Sequence, residues 1–225
     1  MCNLYTQTRS IDEIKKIFAG LQMPLALPEG APNLQPRDIA ITDPGVIVRA
    51  AGGVGPGSAA SGYELVVRRW SWPGPGGRPV YNFRSDGREF PSGRCLILAD
   101  GFYEFTTPTD PKQKRKDRWL FTDPDGGMIG IAGLVRDDPG EAGKREAGEA
   151  FTMLTTEPGP DVAPYHGRQV ALLGADAWGK WLDHEVAAGD LLGPAPAGSV
   201  GCGLIGWGLV GLNSSKLAVR PCTSS

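Results

Sequence analysis

Cys2 stands one residue behind the initiator methionine. If Met1 is removed, one residue carries a free α-amine and a thiol on adjacent carbons. The amine titrates near ~7.7–8.0 and the thiol near ~8.5, so both are usable nucleophiles at neutral pH. A 1,2-aminothiol meeting an aldehyde forms an imine and closes to a five-membered thiazolidine, which a mid-chain cysteine cannot do. Two other residues could move protons for such a reaction. His166 is one of two histidines and lies in Ala163-Pro164-Tyr165-His166-Gly167-Arg168, beside an arginine suited to a phosphate-bound substrate. Glu104 lies in Gly101-Phe102-Tyr103-Glu104-Phe105. On a strand it shares a face with Phe102 and is flanked by aromatics, surroundings that raise a carboxyl pKa. His184, on the polar side of a helix, reads as solvated, and Cys95, Cys202 and Cys222 as small buried residues or spectators. The cysteines and histidines have no paired metal-ligand spacing, and no Gly-rich phosphate loop is present.

These groups need elements to hold them. Ser10-Ile11-Asp12-Glu13 is a capping box, and Ile11, Ile14, Ile17, Phe18 and Leu21 recur at helical spacing up to about Gly20. A helix so soon after Cys2 can dock the N-terminus. Short β-like runs follow at Ile39–Ile41, Val46–Ala50 and Glu64–Trp70, the last two separated by a Gly/Ala/Ser loop, Ala51–Gly62, of mobile composition. Arg94–Ala99 and Phe102–Phe105 flank Asp100-Gly101, either a hairpin or one strand with a glycine kink. Trp119–Thr122 and Met128–Val135 read as another pair around Asp125-Gly126-Gly127, and Asp138–Glu149 as a surface loop. Phe151–Thr155 and Gln169–Leu173 read as strands, and Asp176 as the cap of a second helix with Trp178, Trp181, Leu182 and Val186 on one face. Leu192–Gly203 reads as a loop before one more strand. The pattern fits one α+β domain over 1–225, built largely on antiparallel sheet.

Composition narrows the function. The chain has 225 residues, 40% hydrophobic and 21% charged, enough to bury a sizeable core without staples. A net charge of −2 gives no overall push toward nucleic acid or membrane. No apolar run approaches a membrane span. The N-terminus lacks a signal-peptide layout, and four scattered cysteines suit a reduced, cytoplasmic setting. The charge is uneven, however. Between Arg68 and Arg118 stand eleven Lys/Arg against six acids, interleaved with Trp70, Trp72, Tyr81 and Phe83. Cations among aromatics suit phosphates and unstacked bases.

Several segments follow one another in order along nearly the whole chain: Met1-Cys2, Asn33-Leu34-Gln35-Pro36, Arg69-Trp70 with Trp72-Pro73, Asn82-Phe83-Arg84-Ser85-Asp86, the twelve residues from Arg94 to Phe105, and Phe151–Thr156 with His166-Gly167-Arg168. Together they resemble the SRAP domain, the SOS response-associated peptidase or abasic-site processing family. The closest match is Arg94 to Phe105 against the family's Arg-Cys-Leu-Ile-Pro-Ala-Asp-Gly-Phe-Tyr-Glu-Trp.

The resemblance implies a barrel-like antiparallel core with a few flanking helices, and the following roles. Cys2, exposed by self-removal of Met1, attacks the ring-opened aldehyde of an abasic site in single-stranded DNA and forms a thiazolidine crosslink that shields the lesion. Asn82 positions the Cys2 amine or the opened sugar. Glu104 orients the amine and assists proton transfer, and His166 is a general acid–base. Arg84 and Arg168 hold flanking phosphates, with Arg69 on the same DNA surface, while Trp70 and Pro36 wedge against neighbouring bases. The partner is single-stranded DNA carrying abasic sites, with no membrane, metal, cofactor or oligomer required. Two other readings compete: a cysteine peptidase or amidase using Cys2 and His166 on other substrates, and a non-catalytic single-strand-binding module using Trp70 and the arginines.

Departures from the pattern concern DNA rather than the reacting groups. Gln169-Val170 replaces Met-Pro, Phe105 replaces tryptophan, and the Trp70–Pro73 segment is a residue short. Asn3-Leu4 replaces Gly-Arg, and Leu4 cannot donate to a phosphate, so binding should be weaker or more salt-sensitive. A Leu4→Arg variant is expected to gain single-strand affinity in a titration at fixed salt; no gain would count against a phosphate near position 4.

Overall fold

The computed structural model describes residues 2–52, 62–143, 145–205 and 220–221. The Ala51–Gly62 loop expected from composition lies mostly outside these residues. Hydrophobic alternation builds two sheets. In the first, the order is Arg220–Pro221, Gly201–Ile205, Asp117–Thr122, Gly101–Thr106, Leu4–Gln7 and Arg37–Ala40. The second contains a closed ring of five strands: Gly148–Thr156, Ile129–Asp138, Arg94–Ala99, Pro44–Ala50 and Tyr63–Trp70. Parallel pairing of Ala150 with Arg69 and Phe151 with Trp70 closes that ring. The outcome is the α+β, barrel-like, mainly antiparallel architecture expected.

Three layers follow from which faces are apolar. Tyr5, Ile39, Ile47, Trp70, Ile97, Phe102, Phe121 and Phe151 form the core shared by the barrel and the six-stranded sheet. Outside the barrel, Val48, Leu65, Leu96 and Leu154 pack under two helices, through Ile14 and Phe18 on one side and Trp178 and Trp181 on the other. The first helix, Ile11–Gly20, forms as its capping box requires: the Ser10 side chain accepts from the Glu13 backbone N–H, and the Glu13 carboxylate accepts from the Ser10 N–H at 2.8 Å. The second helix is shorter than expected. A 3₁₀ turn, Ala175–Ala177, leads into Trp178–Leu182, and Asp176 makes no cap. What holds it are two indole N–H donors, Trp178 to Leu173 O at 3.0 Å and Trp181 to Cys95 O at 2.9 Å. It ends before His184, whose φ of 56° leaves helical space. Leu192–Gly203 is not all loop, because strand Gly201–Ile205 begins within it.

Neither Gly-containing turn is a hairpin. Arg94–Ala99 pairs in the barrel with Ile129–Asp138 and Pro44–Ala50, whereas Gly101–Thr106 pairs in the other sheet with Leu4–Gln7 and Asp117–Thr122. The chain passes from one sheet to the other at Asp100, closer to the kinked-strand alternative. A Cβ on Gly101 would lie 2.6 Å from Phe121 O, so only glycine fits. Asp123–Met128 likewise joins strands in different sheets. Local pattern shows a turn but not whether the next strand comes back beside the last.

Asp100 also ties down the head of the chain. Its backbone N–H donates to Thr6 O at 2.8 Å, and its carboxylate accepts from the Thr8 hydroxyl at 2.9 Å, the Arg9 N–H at 3.2 Å and the Arg9 guanidinium. Gln7 Nε2 donates to Leu98 O at 2.8 Å. The first strand is thus anchored to both sheets.

Ser71 is the strained counterpart of Gly101. Its φ is 91°, its side chain is buried, and its hydroxyl has no partner among the described residues. A left-handed non-glycine residue costs on the order of 1–3 kcal/mol. Ser71→Gly is therefore expected to stabilise the chain by about 1 kcal/mol and raise Tm by roughly 2–4 °C in a thermal melt. Gly101→Ala should lower Tm in the same assay, because the new methyl meets backbone that cannot give.

Candidate active site around Cys2

Cys2 precedes the interior strand Leu4–Gln7, which pairs with Arg37–Ala40 on one side and Gly101–Thr106 on the other. That double pairing carries residue 2 into the core, where it is 1% exposed. Its main chain is held at both polar groups. Asn82 Nδ2 donates to Cys2 O at 2.8 Å, and the Cys2 N–H donates to the Glu104 carboxylate. Asn82 comes from a short strand, Asn82–Arg84, laid parallel on Gly148–Thr156 with Asn82 opposite Met153. Glu104 comes from Gly101–Thr106, opposite Trp119. Three segments far apart in sequence therefore meet on one dipeptide unit. The Asn82 Oδ1 atom is buried and has no partner among the described residues.

The electrostatics follow from burial. Burial lifts the Glu104 carboxyl to about 7, while the positive head of the chain and the Cys2 N–H pull it back. Burial, and then the Glu104 charge, push the Cys2 thiol up to about 12, against hydrogen bonds at Leu4 and Tyr103. The thiol donates to Leu4 O at 3.2 Å. It is a neutral, sealed group in this state.

His166 lies half-buried in the loop after Gly148–Thr156, its backbone N–H donating to Val162 O at 3.0 Å. Its Nδ1 sits 3.0 Å from both the N–H and the carbonyl of Arg168. Burial lowers its pKa, as do the positive head of the chain and Lys116. Tyr165, next to His166, packs on Trp119 with ring centroids 4.7 Å apart.

The expected DNA-facing residues divide. Pro36 and Arg84 are exposed, and Arg69 is half-buried. Trp70 is 0% exposed, stacked edge-on against Tyr5 and Tyr81 with its indole N–H on Tyr81 O at 2.9 Å. It offers no face to a base, which corrects the wedge role. Arg168 is already engaged: Nη2 lies 2.7 Å from Asp86 Oδ2 and 2.7 Å from Thr155 O. Sequence reasoning passed over Asp86 and Thr155. Asp86 was within the Asn82–Asp86 segment, but its partner lies eighty residues on, where no local pattern points. His184, expected in solvent, is half-buried with Nδ1 enclosed and without a partner among the described residues. Cys95 and Cys202 are both buried as expected, but Cys202 is also disulfide-bonded, which the reduced setting read from scattered cysteines did not anticipate. Among the described residues no group of three His, Cys, Asp or Glu side chains is placed to hold a metal, and no helix is long and apolar enough to cross a membrane.

Solved structures share this fold. One protein from Bordetella bronchiseptica superposes with TM-score 0.64 at 24% identity, covering 91% of this chain and 100% of that one. A protein from Bacteroides thetaiotaomicron gives 0.67 at 16% identity, covering 92% and 93%. A phage-related protein from Bordetella bronchiseptica gives 0.61 at 18% identity, covering 91% and 94%. No curated protein matches the chain. The family model for SOS response associated peptidase (SRAP) matches residues 1–202, so this chain belongs to the SRAP family.

Proposed function

We propose that the chain removes its own Met1 and then captures abasic sites in single-stranded DNA through Cys2. The observation that carries this reading is the grip on residue 2, with Asn82 on its carbonyl and the Glu104 carboxylate on its backbone nitrogen. A buried carboxyl titrating near neutrality beside the nitrogen that would become an amine is equipped to pass protons to and from it. Hydrolysis of the Met1–Cys2 peptide consumes one water and leaves the Cys2 α-amine. That nitrogen bonds to the sugar aldehyde carbon. Glu104 delivers a proton to the carbinol oxygen, which leaves as water and gives the imine. The Cys2 sulfur then adds to the same carbon, its proton passing to the imine nitrogen, and the thiazolidine closes. Asn82 Oδ1 is an available acceptor for the amine hydrogens. His166 assists opening of the sugar. Arg84 supplies an exposed cation for backbone phosphate, while Arg168, clasped by Asp86, braces the turn that holds His166.

The order of attack follows from the thiol. With Met1 attached, burial and the Glu104 charge hold the thiol protonated, so in this reading the freed nitrogen adds first and the sulfur traps the imine. The same fact disfavours a general cysteine peptidase, which needs a neighbouring imidazolium to lower the thiol pKa; here the strongest neighbouring charge is a carboxylate that raises it. Burial of Trp70 removes the stacking platform of a purely non-catalytic binder.

Mixing the protein with single-stranded DNA bearing one abasic site should give a slow band on a denaturing gel. Cys2→Ala should abolish that band; an undiminished band would end the proposal. Glu104→Gln should slow band formation by about 10²-fold or more. The rate should pass through a maximum between about pH 7 and 8, rising as the amine deprotonates and falling as Glu104 loses its proton, and Glu104→Gln should lose the alkaline fall.

Stability should move the opposite way. The Glu104 carboxyl binds its proton more readily folded than at its ordinary value of 4.5, so its contribution is complete below that value and is lost as pH climbs through about 7. Glu104→Gln should therefore raise Tm at pH 8 and change it little at pH 5, as read by thermal melts at both.

A further inference from the structure

Lys112-Gln113-Lys114-Arg115-Lys116 is the densest cationic run in the chain, and the chemistry at Cys2 leaves it unused. It lies on the exposed loop between Gly101–Thr106 and Asp117–Thr122. The loop is built from its own hydrogen bonds. The Lys112 N–H donates to Asp110 Oδ1 at 2.9 Å, and the Gln113 N–H to Asp110 O at 3.0 Å. Gln113 Nε2 donates to Arg115 O at 2.9 Å and to Asp117 Oδ1 at 2.7 Å. Lys112, Lys114, Arg115 and Lys116 are exposed, four cations against the two acids Asp110 and Asp117 that hold the loop's amides.

Its position matters more than its charge. Asp117 pairs with Thr106, two residues beyond Glu104, and Trp119 pairs with Glu104 itself. Trp119 packs on Tyr165 beside His166, and the charge of Lys116 reaches His166. The loop therefore leaves the sheet at the end where the candidate site lies. Beside it is a groove of about 420 Å³ lined by Gln113, Lys114, Arg115, Asp117, Arg118, Leu204 and Ile205, three cations to one acid. Leu204 is 56% exposed, the one large hydrophobic side chain so exposed among the described residues.

We propose that this loop and groove form a second interaction surface, which takes the single strand on one flank of the lesion. The cations meet backbone phosphates, and Leu204 meets the face of an unstacked base. The inference rests on the reading of Cys2 as an abasic-site nucleophile, and it adds a path for the DNA away from the reacting sugar.

The test uses oligonucleotides carrying a tetrahydrofuran abasic analogue, which has no aldehyde and reports non-covalent binding alone. One set extends only to the 5′ side of the site, the other only to the 3′ side. The triple variant Lys112→Gln, Lys114→Gln, Arg115→Gln is expected to lose about tenfold in affinity for one set near 0.1 M salt. The magnitude of its log–log salt slope should drop by about 2, at about 0.7 per single-strand phosphate contact. The other set should change by less than about twofold. Leu204→Ser should weaken the same set while leaving the slope unchanged. Equal losses for both sets would mean a general charge effect and overturn the proposal, as would no loss for either. If the flank effect holds but wild-type protein fails to capture an aldehydic site, the reading of Cys2 falls and this surface stands.

Discussion

Pairing of Leu4–Gln7 on both edges is the constraint on which the site depends. The first residues of a chain are usually its least ordered. Here they form an interior strand, and the buried Asp100 carboxylate clamps the two residues that follow it. Because strand position fixes side-chain direction, residue 2 has little freedom left: its main chain must run past Asn82 and Glu104. The barrel supplies the other half of the grip. Its closing strand, Gly148–Thr156, carries Asn82–Arg84 in parallel, so the same element that completes the ring delivers the carboxamide.

Enclosure then sets the chemistry. A carboxyl in water would stay ionised at neutral pH and could not donate a proton. Buried beside Cys2 and opposite Trp119, Glu104 has its carboxyl pKa lifted to about 7. The cost is a carboxylate in low dielectric whenever it ionises, so the burial that raises its pKa also weakens the fold above neutrality. Ser71 shows strain of another kind, a left-handed backbone at a buried bend directly after Trp70. Nothing in the described contacts of Ser71 explains why a serine stands there.

Much of this was legible in the residues. The capping box ahead of Ile11–Gly20 works through a contact three residues long, and such contacts are readable. The aromatic flanking of Glu104 signalled a raised pKa, since alternation along one strand is local. What failed was non-local. At Asp100-Gly101 the residues left a hairpin and a kinked strand both open, because a turn pattern does not say which sheet the next strand joins. The family resemblance implied a DNA wedge at Trp70, yet its neighbours in space, Tyr5 and Tyr81, come from distant segments that enclose it. The family resemblance implied a phosphate role for Arg168 and gave no sign of its ion pair with Asp86, eighty residues away.

Sealing of the Cys2 sulfur has a bearing on the conditions in which DNA loses bases. Peroxide oxidises thiolates, not thiols, and it must reach them. A protonated sulfur 1% exposed meets neither requirement, so Cys2 should resist conversion to sulfenic acid in the same oxidising burst that damages the genome.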